Sequence, residues 1–293
     1  MKLLKETGYK LQVICEFVGI SRQAYYKRLY SSNSKRDLYQ VLEKVVINNR
    51  RERSRAGLRT IYYKENISSL LGVNQFEKEM SARGHRLKPY KSYLKTTDSR
   101  GHHYKYDNLI SGLEINGDNQ VIVGDITYYQ CNSGLYYIFQ FTDCYTLEVK
   151  GLIGSKSIEG IYAEKCLRQV FAYNNQHKYN YDLIVHTDGG GQYRSHKFQN
   201  MLQTAEIRPS HAKNCLENGL SERKNGILKN EYLIDYEVKN VQHFNRILQK
   251  LKHQMNEVWP SKTLGYKTPR EYALQVRRLA KSQRTKKIIK KVD

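Results

Sequence analysis

Apolar positions in the first third of the chain recur at the spacing of helices that bury one face. Leu38, Val41, Leu42, Val45 and Val46 stand three and four apart. Upstream, Leu11, Ile14, Cys15 and Phe17 form one apolar face, Val18-Gly19-Ile20 makes a break, and Ser21 is a good N-cap for Arg22–Arg28. Residues 9–30 therefore read as helix, turn, helix. Ala56–Arg59 opens another helix through Tyr63, and Val73 to Ala82 a third, closed by Arg83-Gly84. Residues 85–117 carry scattered Lys, His and Tyr with little periodicity and read as a basic linker, and Gly117-Asp118-Asn119 turns the chain into its first long strand.

From Gln120 the period shortens to that of strands. Gln120–Gln130 and Leu135–Phe141 flank an Asn132-Ser133-Gly134 hairpin turn, and Leu147–Ile153 gives a third strand. Ser157 caps a helix to about Tyr173. Tyr181–Val185 is a short buried strand, His196–Ala205 a helix, Ile207–His211 a strand and Leu216–Leu233 a helix. Helices over Phe244–Met255 and Pro269–Leu279 complete the chain's regular elements. The predicted fold is α/β, with a mixed-sheet core of RNase H-like order: three strands, a helix, then alternating strand and helix. The predicted units are 1–35, a helix-turn-helix segment; 36–84, a small helical domain; 85–117, the linker; 118–235, the core; and 236–293, a helical extension with a basic tail.

Composition adds a partner. Lys and Arg number 50 against 28 acids, a net charge of +22 that calls for a polyanion, most simply nucleic acid. A helix-turn-helix would set its second helix, with Arg22 and Arg28, in a major groove; a plain packing hairpin is the equal alternative. Arg59 in the helical domain, and Arg277, Arg278, Lys286 and Lys287 in the tail, are further phosphate-binding candidates, the tail reading as a basic helix or mobile segment. Five cysteines without a Cys-x-x-Cys pair fit neither a disulfide framework nor a zinc knuckle, and they suit a reducing cytoplasm. No apolar run approaches membrane-spanning length and no signal peptide is evident.

Three acids carry the candidate chemistry. Asp125 is the single charge inside Val121–Tyr129; Asp188 ends the apolar run Leu183–Thr187 and precedes three glycines; Glu222 opens a helical stretch. An acid inside an apolar strand is costly to bury without compensation, and a shared divalent cation is one compensation. Singly, Asp125 also reads as a solvent-facing strand acid and Asp188 as an Asp-Gly turn, and Glu222 has a rival in Glu217 five residues earlier. His186 shares a strand face with Asp188 and reads as a packed, hydrogen-bonded histidine.

The words around these acids resemble one family. Asn119-Gln120-Val121, Gly124–Tyr128, His186–Tyr193, Glu217–Glu222, Leu228–Glu231 and Leu264–Pro269 occur in the order found in DDE transposases of the IS-three insertion-sequence family, specifically the second-reading-frame protein with a retroviral-integrase-like core. Ile20-Ser21-Arg22 and Tyr25-Tyr26 are similar to the family's start, so the resemblance covers almost the whole chain. It implies DNA strand cleavage and strand transfer at element ends, with Asp125, Asp188 and Glu222 as catalytic, metal-holding acids and two Mg²⁺ or Mn²⁺ ions as cofactor. In the family an Asp-Asn pair lies five residues before the catalytic Glu; Glu217-Asn218 matches it, which selects Glu222 over Glu217. Lys229, two helical turns beyond Glu222, matches a basic residue that grips phosphate.

The partners implied are element terminal inverted repeats, target DNA, further copies of the chain on DNA, and an upstream-frame helix-turn-helix and zipper protein; the implied location is the bacterial cytoplasm, at the nucleoid. This sequence has Ile122 where the family has Trp, Glu217 where it has Asp, and Asn256–Ser261 lacks the family's Arg and His. A decayed or domesticated element protein that only binds DNA, and an RNase H-like nuclease, are the alternatives.

Overall fold

The computed structural model describes residues 10–88, 106–176, 182–213 and 215–291. Most of the expected linker, residues 89–105, and the first residue of the expected Tyr181–Val185 strand lie outside the described residues.

Helix α1 (Leu11–Val18) stops at Gly19, whose φ of 69° directs its N–H back to the last-turn carbonyls. Ser21 then caps α2 (Arg22–Glu52) by accepting a hydrogen bond from Ala24 N. The expected break near residue 35 is absent: α2 is one helix of 31 residues. Ser31–Ser34 are weak helix formers, but no Gly or Pro interrupts the stretch. Phe17, expected on the buried face of α1, is exposed, while Ile14 and Cys15 are buried. Helices α3 (Leu58–Lys64) and α4 (Val73–Met80) complete the N-terminal bundle.

A short strand β1 (Glu114–Ile115), not anticipated from its sequence, precedes the central sheet. The central strands are β2 (Val121–Cys131), β3 (Gly134–Asp143), β4 (Val149–Ser155), β5 (Ile184–Thr187) and β6 (Arg208–His211), in spatial order β4-β3-β2-β5-β6. β2 and β3 form the hairpin expected around Asn132-Ser133, pairing Cys131 with Gly134; β5 and β6 run parallel to β2. One face packs against α5 (Gly160–Gln176) and α6 (His196–Thr204) through Ile122, Phe139, Phe141, Cys166, Leu167 and Phe198.

On the other face lie α7 (Gly219–Ile227) and α8 (Val241–His253), with Phe244, Leu248 and Leu251 against Tyr136, Val149 and Leu152. The same apolar cluster takes in Leu42, Ile61 and Phe76 of the N-terminal bundle. Arg53 ties the two together. Its Nε donates to Glu231 Oε2 at 2.9 Å, and its guanidinium lies over the Tyr232 and Trp259 rings at 4.9 and 5.1 Å.

Helix α9 (Pro269–Arg278) begins in a capping box, Thr268 with Glu271, and Pro269 sits in its first turn, where its missing N–H costs nothing. The tail beyond it is not a continuous basic helix: a single 3-10 turn, Lys281–Gln283, leads into a strand packed on the core. Residues Lys287–Ile288 form β7, antiparallel to β1. Arg277, expected on a phosphate-binding tail, points inward. It bonds Asp118 at 2.8 Å and Glu148 at 3.4 Å, and Glu148 also accepts from Tyr173 Oη at 2.7 Å. Lys287 donates to the Tyr145 carbonyl at 2.8 Å and lies over the Tyr145 and Tyr272 rings. Lys286 forms an exposed pair with Glu114, and Arg59 one with Glu77. Arg22, Arg28 and Arg278 are exposed.

Removing one partner of a buried ion pair leaves a charge without compensation, at roughly 3–5 kcal/mol. Arg277 is partly solvated and Arg270 also approaches Glu148, at 3.6 Å, so Arg277→Ala is expected to cost somewhat less than that range. Lys286→Ala removes only an exposed, solvent-screened pair and should leave stability close to that of wild type. Denaturant unfolding of the two variants checks this; equal costs would return Arg277 to the surface.

Candidate active site

Parallel pairing of β2 with β5 fixes the first two acids. Val121 lies opposite Ile184, Ile122 opposite Val185 and Val123 opposite His186. Two residues further along each chain come Asp125 and Asp188, at the carboxyl ends of neighbouring parallel segments whose axes are about 4.8 Å apart. The pairing is held from behind. His186 is fully buried, with Nδ1 2.8 Å from Ser210 Oγ on β6, and burial, reinforced by His211, pushes its pKa down to about 4. It is a neutral packing residue, as expected. Gly124 leaves room for Phe141: a Cβ there would stand 2.3 Å from the ring. Ile122, where the family carries Trp, is fully buried in the layer facing α5 and α6.

Helix α7 supplies the third acid. Asn218, Glu222 and Asn225 are spaced four and three apart and share a helix face. Asn218 Nδ2 donates to the Gly124 carbonyl at 3.2 Å, and Asn225 Nδ2 to Asp125 Oδ2 at 2.7 Å. The face that carries Glu222 is thus bonded to β2 on both sides of it. In the sequence Asn218 stands out only as part of a family word, and Asn225 does not stand out; their helical spacing around Glu222 is the available signal. Glu217, the rival acid, accepts from Lys213 N at 2.6 Å.

Asp188 is exposed at the start of its glycine loop, and its Oδ1 accepts from Gly190 N at 3.0 Å. Gly189 has φ +71°, a conformation that disfavours side chains, and a Cβ there would press on the His211 ring at 3.0 Å. Glu222 is also exposed. Among the described residues, no three His, Cys, Asp or Glu side chains stand close enough together to hold a metal ion. The acids therefore share one end of the sheet without forming a closed ligand set.

They are nonetheless in electrostatic contact. Burial first, then the Asp188 charge, and more weakly that of Glu222, push the Asp125 carboxyl up to about 7, against the lowering effect of its bonds to the Ile126 backbone and Asn225. By exposed area Asp125 is half-buried, whereas its local atomic surroundings are dense. The carboxyl itself is covered by Asn225 of α7. The buried Oδ1 atoms of Asn218 and Asn225 make no hydrogen bond within the described residues. Hard carboxylate and amide oxygens with excess negative charge fit a divalent cation such as Mg²⁺.

Lys229, expected on the α-helical face of Glu222, begins just inside a π-helical turn, Leu228–Leu233, which continues α7. The wider turn shifts the side-chain phase. Lys229 Nζ lies 5.0 Å over the ring of Tyr128, at the open edge of β2.

Two integrase core domain models match the chain, over residues 116–214 and 203–269. The transposase for insertion sequence element IS904 of Lactococcus lactis is 27% identical over 195 residues, which are 65% of this chain and 74% of that protein. The 31 kDa protein of insertion element IS600 of Shigella sonnei is 24% identical over 234 residues, 78% of this chain and 85% of that protein. Among solved structures, the HTLV-2 integrase catalytic core in complex with magnesium aligns at 20% identity with a TM-score of 0.41, covering 57% of this chain and 99% of that one. The matched core models take in the whole five-stranded sheet and the helices on both of its faces, and the chain belongs to the IS-three family of DDE-type insertion-element transposases.

Proposed function

We propose that Asp125, Asp188 and Glu222 are the catalytic acids of this transposase, which cleaves DNA at insertion-element ends and joins the freed 3′-hydroxyl to target DNA. The observation that carries the assignment is the β2–β5 register, which sets two acids side by side under a helix face bearing the third. Two Mg²⁺ or Mn²⁺ ions are the proposed cofactor; when bound, they activate the attacking hydroxyl and stabilise charge at the phosphodiester.

The chain's own part is placement. Asn225 orients Asp125, Asn218 clamps β2 beneath Glu222, and Lys229 meets a substrate phosphate as a point charge. Water is the nucleophile in cleavage and the DNA 3′-hydroxyl in joining, so no side-chain nucleophile is required. Element-end and target DNA are the substrates, and exposed Arg22, Arg28 and Arg278 are the retained phosphate-contact candidates. Assembly of several copies on DNA, an upstream-frame partner, and work at the chromosome in the cytoplasm belong to the same reading. Among the described residues no helix is long and apolar enough to cross a membrane.

The ionisation of Asp125 gives a test independent of turnover. Its folded value of about 7 exceeds the ordinary carboxylate value of about 4, so between these values the folded state keeps a proton that the unfolded chain has lost. The site thus favours folding at low pH, and that contribution is lost as pH rises towards 7. Asp125→Asn removes the dependence. Its stability gain over the cation-free wild type should widen from pH 5 to pH 8, and Mg²⁺ at pH 8 should raise the melting temperature of wild type more than that of the variant. A pH-independent difference would remove Asp125 from the charged cluster.

Asp188→Asn keeps the shape of the side chain but loses the charge that holds the cation. Cleavage and strand transfer should fall at least about 100-fold, the scale of losing a principal electrostatic contributor, while element-end binding measured in Ca²⁺ stays within a few fold. Wild-type cleavage rates in this variant would defeat the assignment.

A further inference from the structure

Helix α2 runs unbroken from Arg22 to Glu52, and its two ends face different partners. Near its start Arg22 and Arg28 are exposed, on the helix that a helix-turn-helix would lay in a major groove. Arg53 follows its last turn directly, with its N–H bonded back to the Asn49 carbonyl at 3.1 Å. At about 1.5 Å per residue the two ends stand about 45 Å apart. Residues 33–37 are exposed throughout and include no Gly or Pro, so the helix there stands on its own backbone hydrogen bonds.

The core end meets the turn that continues the helix of Glu222. Arg53 Nε donates to Glu231 Oε2 at 2.9 Å, and its guanidinium lies 4.9 Å from the centre of the Tyr232 ring. Glu231 and Tyr232 belong to the π-helical turn Leu228–Leu233, which follows α7 with right-handed helical backbone at Leu228. The Arg53 and Glu231 side chains are 12% and 17% exposed, so the pair is screened less than a surface pair. Leu42 and Val46 of α2 share an apolar cluster with Leu228 and Leu233 of that turn. Glu222 itself is exposed, and among the described residues the acids form no closed ligand set. Its position therefore follows that of α7, which Asn218 and Asn225 hold towards β2 and Arg53 holds at the far end.

Resting on the catalytic and DNA-contact readings above, we infer that α2 is a rod coupling DNA seated on Arg22 and Arg28 to the helix of Glu222, with Arg53 as the positioning residue at its core end. A rigid element bonded at both ends passes on a displacement that a loop would absorb. DNA at the N-terminal end thereby orders α7 before a phosphodiester reaches the acids. A contact kept only to hold the bundle on the core would leave α7 indifferent to DNA at the far end of α2.

The rod spans about 13 base pairs at about 3.4 Å each. An element-end duplex that stops about six base pairs short of the scissile phosphate therefore reaches Arg22 and Arg28 while keeping DNA away from the acids. Hydrogen exchange of the full chain, free of divalent ions, reads residues 219–233 with and without this duplex. In wild type the duplex should slow their exchange at least about fivefold, the lower range of coupling between distant sites. Arg53→Gln and Asn33→Pro should bind the duplex and lose that slowing. Asn33→Pro kinks the exposed rod and leaves the contacts at both of its ends in place. On complete ends in Mg²⁺, each variant should lose kcat about tenfold, with KM for the ends unchanged.

No slowing in wild type, or slowing that survives in either variant, overturns the inference. So does failure of Arg53→Gln to bind the duplex, which would assign the residue to the fold of the bundle. Should Arg53→Gln fail to fold, Asn33→Pro decides by the same measurement. Glu222→Gln separates the coupling from the catalytic reading. Slowing without cleavage in that variant supports both, whereas slowing with wild-type cleavage leaves the coupling and removes Glu222 from the catalytic acids.

Discussion

The pairing of β2 with β5 is the constraint on which the site depends. A parallel ladder has a side-chain period of two, so a slip of one residue would turn Asp125 or Asp188 to the opposite face. Several features act against such a slip. Ile122 and Val185 sit in the apolar layer under α5 and α6, and Val121, Val123 and Ile184 in the smaller cluster with Val276 of α9. His186, bonded to Ser210, links β5 to β6 as a neutral side chain. Asn218 grips the Gly124 carbonyl and Asn225 the Asp125 carboxylate, so the helix is registered to the strand by hydrogen bonds as well as by packing. Each device acts on a different neighbour of the same short segment.

The flanking parts are coupled to that segment through buried charge. Asp143 is fully buried and accepts from the backbone N–H groups of Asn119, Tyr145 and Thr146, which closes the turn between β3 and β4 and fixes the chain entering β2. Lys150 stands 3.7 Å from Asp143; burial lowers its pKa, and Asp143 opposes the shift. Glu148 collects Tyr173, Arg270 and Arg277, joining α5 and α9 to the same turn. At the other end, Lys224 of α7 donates to the Leu147 carbonyl at 2.9 Å, and burial, with Arg53 nearby, pulls its pKa down to about 8. The turn from Asp143 to Glu148 thus touches the strand β2, helix α7 and the C-terminal helix α9.

Much of this was legible in the sequence because periodicity reports burial. The β2–β3 hairpin, α5, α6 and the capped start of α9 lie close to where apolar spacing and turn residues put them. What periodicity does not report is pairing across long separations. β1 and β7 are two residues each and exist because they pair with one another. Arg277 reads as one more basic residue in a basic run, and only the fold reveals Asp118 and Glu148 beneath it. The π turn that continues α7 leaves no compositional trace. The three acids stood out because each is surrounded by a distinctive local word; Asn225 did not, although its bond to Asp125 is as direct as any contact in the site.

The treatment of acids differs between these two regions, and the difference bears on chemistry. Around Asp143 and Glu148 the chain supplies Lys150, Arg270, Arg277 and a set of backbone donors, so burial is compensated from within. Around Asp125 the hydrogen-bond donors are amides and the nearest charges are two more acids. A chain with a net charge of +22 has ample cations to spare. Stability alone would favour a lysine or arginine beside Asp125, which would hold it ionised and relieve the repulsion from Asp188. Such a cation would also occupy the volume, and satisfy the charge, that the proposed divalent ion and phosphodiester require. The site therefore keeps an uncompensated carboxylate at a cost in stability, and the paired charges a few residues away stabilise the turn that holds it in place.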